Sequence, residues 1–184
     1  VEGTTRPNFG QPTPPATTPS TNPLFAAAEN LIPSTGSTSE PAVFDTVLQP
    51  FTAKRFADGF DVTATGVATS GIGPMAIAET PDGDILISGG SARNQLYLFT
   101  DGGGTAAGTW AELDHPVFNL AFDGDGRLWA TTGGGPLLQL DPLDGQVIAE
   151  YGEGLTMGLA IDPDNGDVIV GSRYGVERFD PDNG

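Results

Sequence analysis

The sequence predicts an all-β fold made of repeated four-stranded antiparallel sheets. Three observations carry the prediction. A short motif occurs three times, Gly and Pro are abundant while charge is scarce, and tight-turn dipeptides punctuate every repeat. The motif is IAETPDGDILI at residues 77–87, LAFDGDGRLWA at 120–130 and LAIDPDNGDVIV at 159–170. Its copies begin 43 and then 39 residues apart. A period near forty marks stacked supersecondary units, each too small to bury its own apolar face.

Within each repeat the pattern divides into strands. The first covers residues 75–79, 117–122 and 156–161, and is rich in Ala, Ile and Leu. Pro81-Asp82-Gly83, Gly124-Asp125-Gly126 and Pro163-Asp164-Asn165-Gly166 follow as hairpin turns. Asp-Gly and Asn-Gly tolerate the positive φ that tight hairpins need. Second strands are expected at 84–88, 127–131 and 167–171, and third strands at 96–100, 137–141 and 176–180. A fourth strand is expected at 147–151 and, more weakly, at 109–113. The third repeat reaches Gly184 inside the turn that precedes a fourth strand in the second repeat. Residues 52–59 match 147–154 in type and position, which makes 51–57 a candidate strand. Residues 51–57 are therefore read as an N-terminal strand that closes the last blade of a ring and protects its edge.

The architecture implied is a β-propeller of four-stranded antiparallel blades with about three blades present. Propellers close with four to eight such units, so three ask for completion. The expected solution is a chain that continues to about six blades. The alternatives are two arcs pairing into one ring, and residues 25–50 forming an atypical fourth blade. The domain reading is a Thr/Pro-rich extended arm at 1–24, a linker at 25–50 with a short helix over 25–32 and a strand over 42–48, and propeller blades at 51–184. The repeats lie near 72–113, 115–154 and 155–184.

Composition narrows the function classes. Of 184 residues, 38% are hydrophobic and 17% charged, with 27 Gly and 16 Pro. The formal net charge is −17, and Lys54 is the single lysine. A surface this negative repels phosphate backbones and anionic lipid, so neither nucleic-acid binding nor membrane insertion is expected. No apolar run reaches the roughly 20 residues of a transmembrane helix. With no Cys, disulfides, thiolate catalysis and Cys-ligated metals are excluded. The chain opens at Val1 without Met. The expectation is a processed, mature N-terminus on an extracellular or cell-surface protein, with an expression fragment as the alternative.

Residues 11–23 read QPTPPATTPSTNP. A segment so rich in Pro and Thr favours extended polyproline geometry and resembles an O-glycosylated stalk. Thr13, Thr17, Thr18, Ser20 and Thr21 are the candidate glycosylation positions.

The repeat motifs resemble a known group. Gly71-Ile72-Gly73-Pro74-Met75-Ala76-Ile77-Ala78 with the following 81–88 turn and strand, and Met157-Gly158-Leu159-Ala160-Ile161-Asp162-Pro163, look like blades of the NHL/SMP-30/streptogramin-lyase-like β-propeller superfamily. The resemblance covers about residues 51–184. It implies the fold and little about function, because such propellers include lactonases, lyases, scaffolds and surface proteins. In the lactonases of this group a divalent ion sits over the central tunnel. The matching inner-strand positions here are Met75, Phe118 and Met157, then Ala76, Asn119 and Gly158, among which only Asn119 could ligate; Glu153 is near in sequence.

Other chemistry-bearing patterns are weighed against plainer readings. Asp123-Gly124-Asp125-Gly126 and Asp162-Pro163-Asp164-Asn165-Gly166-Asp167 alternate carboxylates as a hard cation requires, but neither has the twelve-residue length and terminal Glu of an EF-hand. They read as hairpin turns; no cofactor is expected, with surface Ca²⁺ the one exception allowed. His115, the single His, could serve as a base, yet no partner stands at a recognisable spacing. No Gly-x-Ser-x-Gly elbow is present. Gly102-Gly103-Gly104 and Gly133-Gly134-Gly135 lack the Lys-Ser/Thr of a phosphate loop. Trp129 aligns with core positions Leu86 and Ile169, which leaves Trp110 as the exposed aromatic that could stack on a sugar.

The leading expectation is a non-catalytic propeller of the cell exterior, used for assembly, display or adhesion, as a fibre or surface-layer subunit is. Its partners would be copies of itself, other surface proteins or glycans. Thr52, Lys54 and Phe56 are the candidate assembly strand, one that could add to a neighbour's free edge. The alternatives are a metal-dependent lactonase or lyase, and a carbohydrate- or protein-binding module of a larger protein.

Overall fold

The computed structural model describes residues 22–24, 27, 35–37, 46–48, 53–60 and 74–183. The chain divides into two compact units, Val1–Arg55 and Phe56–Gly184. In the first, Pro23, Leu24 and Ala27 are helical. Asn22 caps the helix by accepting the Leu24 N–H at 2.9 Å, with Pro in the first helical position, where its missing N–H costs nothing. β1 (Thr35–Ser37) pairs antiparallel with β2 (Thr46–Leu48), Gly36 opposite Val47. Thr13, Thr17, Thr18, Ser20, Thr21 and Thr52 lie outside the described residues.

The second unit opens with β3 (Ala57–Asp58), followed by three meandering sheets. The first contains β4 (Ile77–Glu79), β5 (Ile85–Gly89), β6 (Gln95–Phe99) and β8 (Ala111–Glu112). Between β6 and β8, β7 (Gly104–Thr105) leaves the sheet to pair with β3. The second contains β9 (Asn119–Phe122), β10 (Leu128–Thr131), β11 (Leu137–Leu140) and β12 (Val147–Tyr151). The third contains β13 (Thr156–Ile161), β14 (Val168–Ser172) and β15 (Gly175–Phe179). All pairings within these sheets are antiparallel. The innermost strands β4, β9 and β13 are neighbours, which sets the sheets side by side as blades.

Register follows from the pleat. Alternate residues face opposite sides of a blade, so Leu128 and Ala130 join Leu86, Leu96, Leu120, Leu138 and Leu140 in a core between the first and second sheets. Trp129, one position out of phase, faces the other way and packs with Leu137, Val168 and Val170 between the second and third. Its ring stands 5.7 Å from that of Phe179 and 5.9 Å from that of Tyr151.

Hydroxyls pin the blades to one another. Ser88 accepts the Ala76 N–H at 2.9 Å and donates to the Val117 carbonyl at 3.1 Å, reaching into the run that leads to β9. Thr131, at the same place in the second sheet, donates to the Met157 carbonyl on β13 at 2.6 Å. In the third sheet Gly171 holds this position.

The closing-strand expectation for residues 51–57 is corrected. Of the described residues in that range only Ala57 is in a strand. Ala57 and Asp58 lie parallel to Gly104 and Thr105 of the first repeat, and not beside β15. Phe56 and Phe60 pack on Phe99, at 6.2 and 5.7 Å between ring centres. The local pattern of this segment does match β12. What decides its place is burial: it covers Ile87, Tyr97 and Phe99 on the face of the first sheet turned away from the second.

Candidate functional site

Three regions of the second unit carry the chemistry. At the inner strand ends, Met75 and Met157 are exposed and Phe118 is half-buried. Asn119, the one candidate ligand there, turns its side-chain oxygen back to accept the Leu120 N–H at 3.0 Å. His115 Nε2 stands 3.8 Å from Glu150 Oε1, beyond hydrogen-bond length. Among the described residues no group of three or more His, Asp or Glu side chains is placed to hold a metal ion. Arg93, expected from its place on a loop to pair with a carboxylate, lies instead against an aromatic ring. Its guanidinium lies 5.4 Å from the centre of the Phe118 ring, and the backbone is left-handed at φ 60°, uncommon for a residue with a side chain.

The hairpin turns of the second and third repeats form an ionic joint. Asp123, a buried carboxylate, accepts from Trp129 Nε1 at 2.9 Å, Arg127 Nε at 2.7 Å, and the backbone N–H groups of Arg127 and Asp125 at 2.9 and 3.0 Å. Burial pushes its pKa upward, but the Trp129 and Arg127 hydrogen bonds and the Arg127 charge outweigh that and hold it below 3.8. Arg127 also reaches Asp125 at 2.9 Å and Asp182 at 2.8 Å, joining the second blade to the turn after β15. These bonds, Asp182's foremost, raise the Arg127 pKa. In the third repeat Arg178 does the same for Asp162 and Asp167, at 2.9 Å each. In the first, Thr80 replaces the Asp and accepts the Asp84 N–H at 3.1 Å. These carboxylates, the candidate Ca²⁺ ligands, therefore serve guanidinium and backbone donors in a structural role.

The outer edge of the third sheet differs from the other two. β8 and β12 cover the third strands of the first and second sheets, whereas β15 has no outer partner among the described residues. Tyr174 is 81% and Val176 77% exposed. Beside them a cavity of about 320 Å³ is lined by Tyr151, Leu155, Arg173, Tyr174 and Phe179. Of the candidate assembly residues, Lys54 is exposed. Phe56 is engaged within its own unit, where its carbonyl accepts the Gly104 N–H at 2.9 Å. Trp129 is fully buried, as its alignment predicted, and Trp110 is half-buried.

No family model matches the sequence, and no curated protein is similar to it. Among solved structures, the extracellular domain described as part of a hybrid two-component system, BT4673 from B. thetaiotaomicron, superposes with a TM-score of 0.50 at 19% identity, over 68% of this chain and 19% of that one. The fold is that of a β-propeller. A gluconolactonase, XC5397 from Xanthomonas campestris, matches at 20% identity over 56% of this chain and 36% of its own, TM-score 0.47. BamB from Moraxella catarrhalis matches at 21% over 58% and 33%, TM-score 0.44. The chain spans 19%, 36% and 33% of the length of these three structures. At the level of fold, the likeness to the BT4673 domain agrees with the propeller architecture that the repeats imply.

Proposed function

We propose that this chain is a non-catalytic β-propeller of the cell exterior or cell surface that acts in assembly, display or adhesion, as a fibre or surface-layer subunit does. The observation that carries the reading is the ionic use of the blade turns, whose alternating carboxylates are engaged by Arg127, Arg178 and backbone donors. The acidic, lysine-poor composition suits a soluble exterior surface, and the Thr/Pro arm suits a spacer that carries glycans. Contact between subunits is assigned to Thr52, Lys54 and Phe56, the last of which packs near Phe99 yet is 37% exposed.

Native mass spectrometry and light scattering over a concentration series test this. The expected result is concentration-dependent oligomers that weaken severalfold in Lys54→Glu, which reverses the charge of an exposed residue of the candidate assembly strand. A monodisperse monomer at high concentration, or oligomers indifferent to the substitution, overturns the reading.

A further inference from the structure

A second concave surface lies between the first and second blades, on the face formed by the hairpin turns. It is a groove of about 290 Å³ lined by Pro81, Trp110, Phe122, Pro142 and Leu143, with the carboxylates of Asp82 and Asp84 also in its lining. Its walls are fixed. The Trp110 backbone N–H donates to the Leu96 carbonyl at 2.7 Å. The Trp110 indole lies against Gly145 so closely that a Cβ there would sit 2.6 Å from the ring. Leu143, 86% exposed, is displayed on a turn in which Asp141 accepts its N–H at 2.8 Å. The indole N–H of Trp129 donates to Asp123, whereas that of Trp110 has no acceptor among the described residues.

An aromatic and proline-lined groove is the kind of surface on which polyproline segments dock. Proline has no N–H, so the carbonyls along such a segment are free acceptors, and its conformation is set before binding. The carboxylates select against acidic ligands and favour a nearby cation. This chain carries a segment of that chemistry. Residues 11–23 contain five prolines and no charge, and Arg6 stands just upstream. The arm 1–24 holds one acid and one base, so residues 25–184 carry the whole net charge of −17. The rest of a second copy is on balance repelled from Asp82 and Asp84, whereas the arm, with no net charge, is not. Fully extended, residues 11–23 would span about 40 Å at roughly 3.1 Å per residue, enough to bridge two molecules.

We propose that the groove at Trp110 and Leu143 receives the Pro-rich arm of a second copy of this chain, at residues 11–23 with Arg6 toward Asp82 and Asp84. The proposal rests on the assembly reading and gives it a second contact, distinct from the candidate strand at Thr52, Lys54 and Phe56. The test is titration of the full-length chain, at a concentration where it is dissociated, with a dye-labelled synthetic peptide of residues 6–23. Anisotropy and tryptophan emission are read together. Trp129 is buried, so an emission change reports Trp110.

The expected result is saturable binding that weakens at least tenfold in Leu143→Asp and severalfold with an Arg6→Glu peptide, while near-UV circular dichroism of the variant is unchanged. If the chain proves monomeric yet binds the peptide in this Leu143-dependent way, the groove assignment stands and the assembly reading falls. If oligomers persist in Leu143→Asp and no peptide binds, the groove assignment falls and the assembly reading stands. Equal binding by both proteins also overturns it, as does a neutral oligosaccharide that occupies the groove when the peptide does not.

Discussion

Replacing Asp123 by Asn tests the ionic joint with almost no change in shape. One side-chain oxygen of Asp123 accepts the two backbone N–H groups, and the other accepts Arg127 Nε and Trp129 Nε1. Asn keeps one oxygen. Its amide nitrogen then faces two donors, one of them the indole of a fully buried Trp129. Hydrogen bonds to a charged group contribute about 1.5–3 kcal/mol each, so losing two costs about 3 kcal/mol at the least. For a unit of this size each kcal/mol moves Tm by about 3 °C, and the expected deficit at pH 7 is about 10 °C. The pH dependence has a definite sign. The folded pKa of Asp123 lies below 3.8, so its stabilisation is present at neutral pH, above the unfolded pKa, and is lost as pH falls through the folded value. The deficit of Asp123→Asn should therefore narrow on going from pH 7 into acid, as the wild-type carboxyl takes up its own proton. Thermal melts followed by near-UV circular dichroism at neutral and acid pH measure it. A variant within about 2 °C of wild type at pH 7, or a deficit as large in acid as at neutrality, would refute the reasoning.

Further outcomes follow from the same geometry. Gly145→Ala combines φ 74° with a Cβ 2.6 Å from the Trp110 ring, whereas Gly166→Ala has φ 79° and open space. Both pay about 1 kcal/mol of backbone strain, but only the first should cost more than that in urea titrations and shift tryptophan emission. Equal costs would refute the contact. Ser88→Ala leaves the Ala76 N–H and Val117 carbonyl without their hydroxyl and should cost about 1–3 kcal/mol. Thr131→Val removes one bond to Met157 and should cost about 1 kcal/mol. Differential scanning calorimetry that ranks Thr131→Val as the costlier would contradict the hydrogen-bond assignment.

The strands of the repeats were legible because hairpin turns are local chemistry. Gly83 and Gly126 adopt φ of 89° and 80°, as the Asp-Gly and Gly-Asp-Gly signals imply, and the strands on either side follow from the turn. Local chemistry fails where a partner is chosen across the fold. The segment near Phe56 has the apolar alternation of a fourth strand, yet Phe99 and Tyr97 recruit it to the first sheet's bare face. The pairing of Ala57 with Gly104 was illegible because two-residue strands with a Gly carry no propensity signal. The weak fourth strand read at 109–113 shrinks to Ala111–Glu112. Arg127 and Asp182 stand 55 positions apart, a separation no motif spans, and the stacking of Arg93 on Phe118 depends on a loop conformation. Trp129 was placed correctly because its alignment with Leu86 fixed its face, but its bond to Asp123 required the fold.

The hydroxyl links of Ser88 and Thr131 end on carbonyl oxygens of the main chain, which every residue possesses. An incoming unit need bring no particular side chain to be fastened to the one before it. Whole blades can therefore be duplicated or deleted in the gene while the fastening survives, and drift at the receiving position leaves it intact.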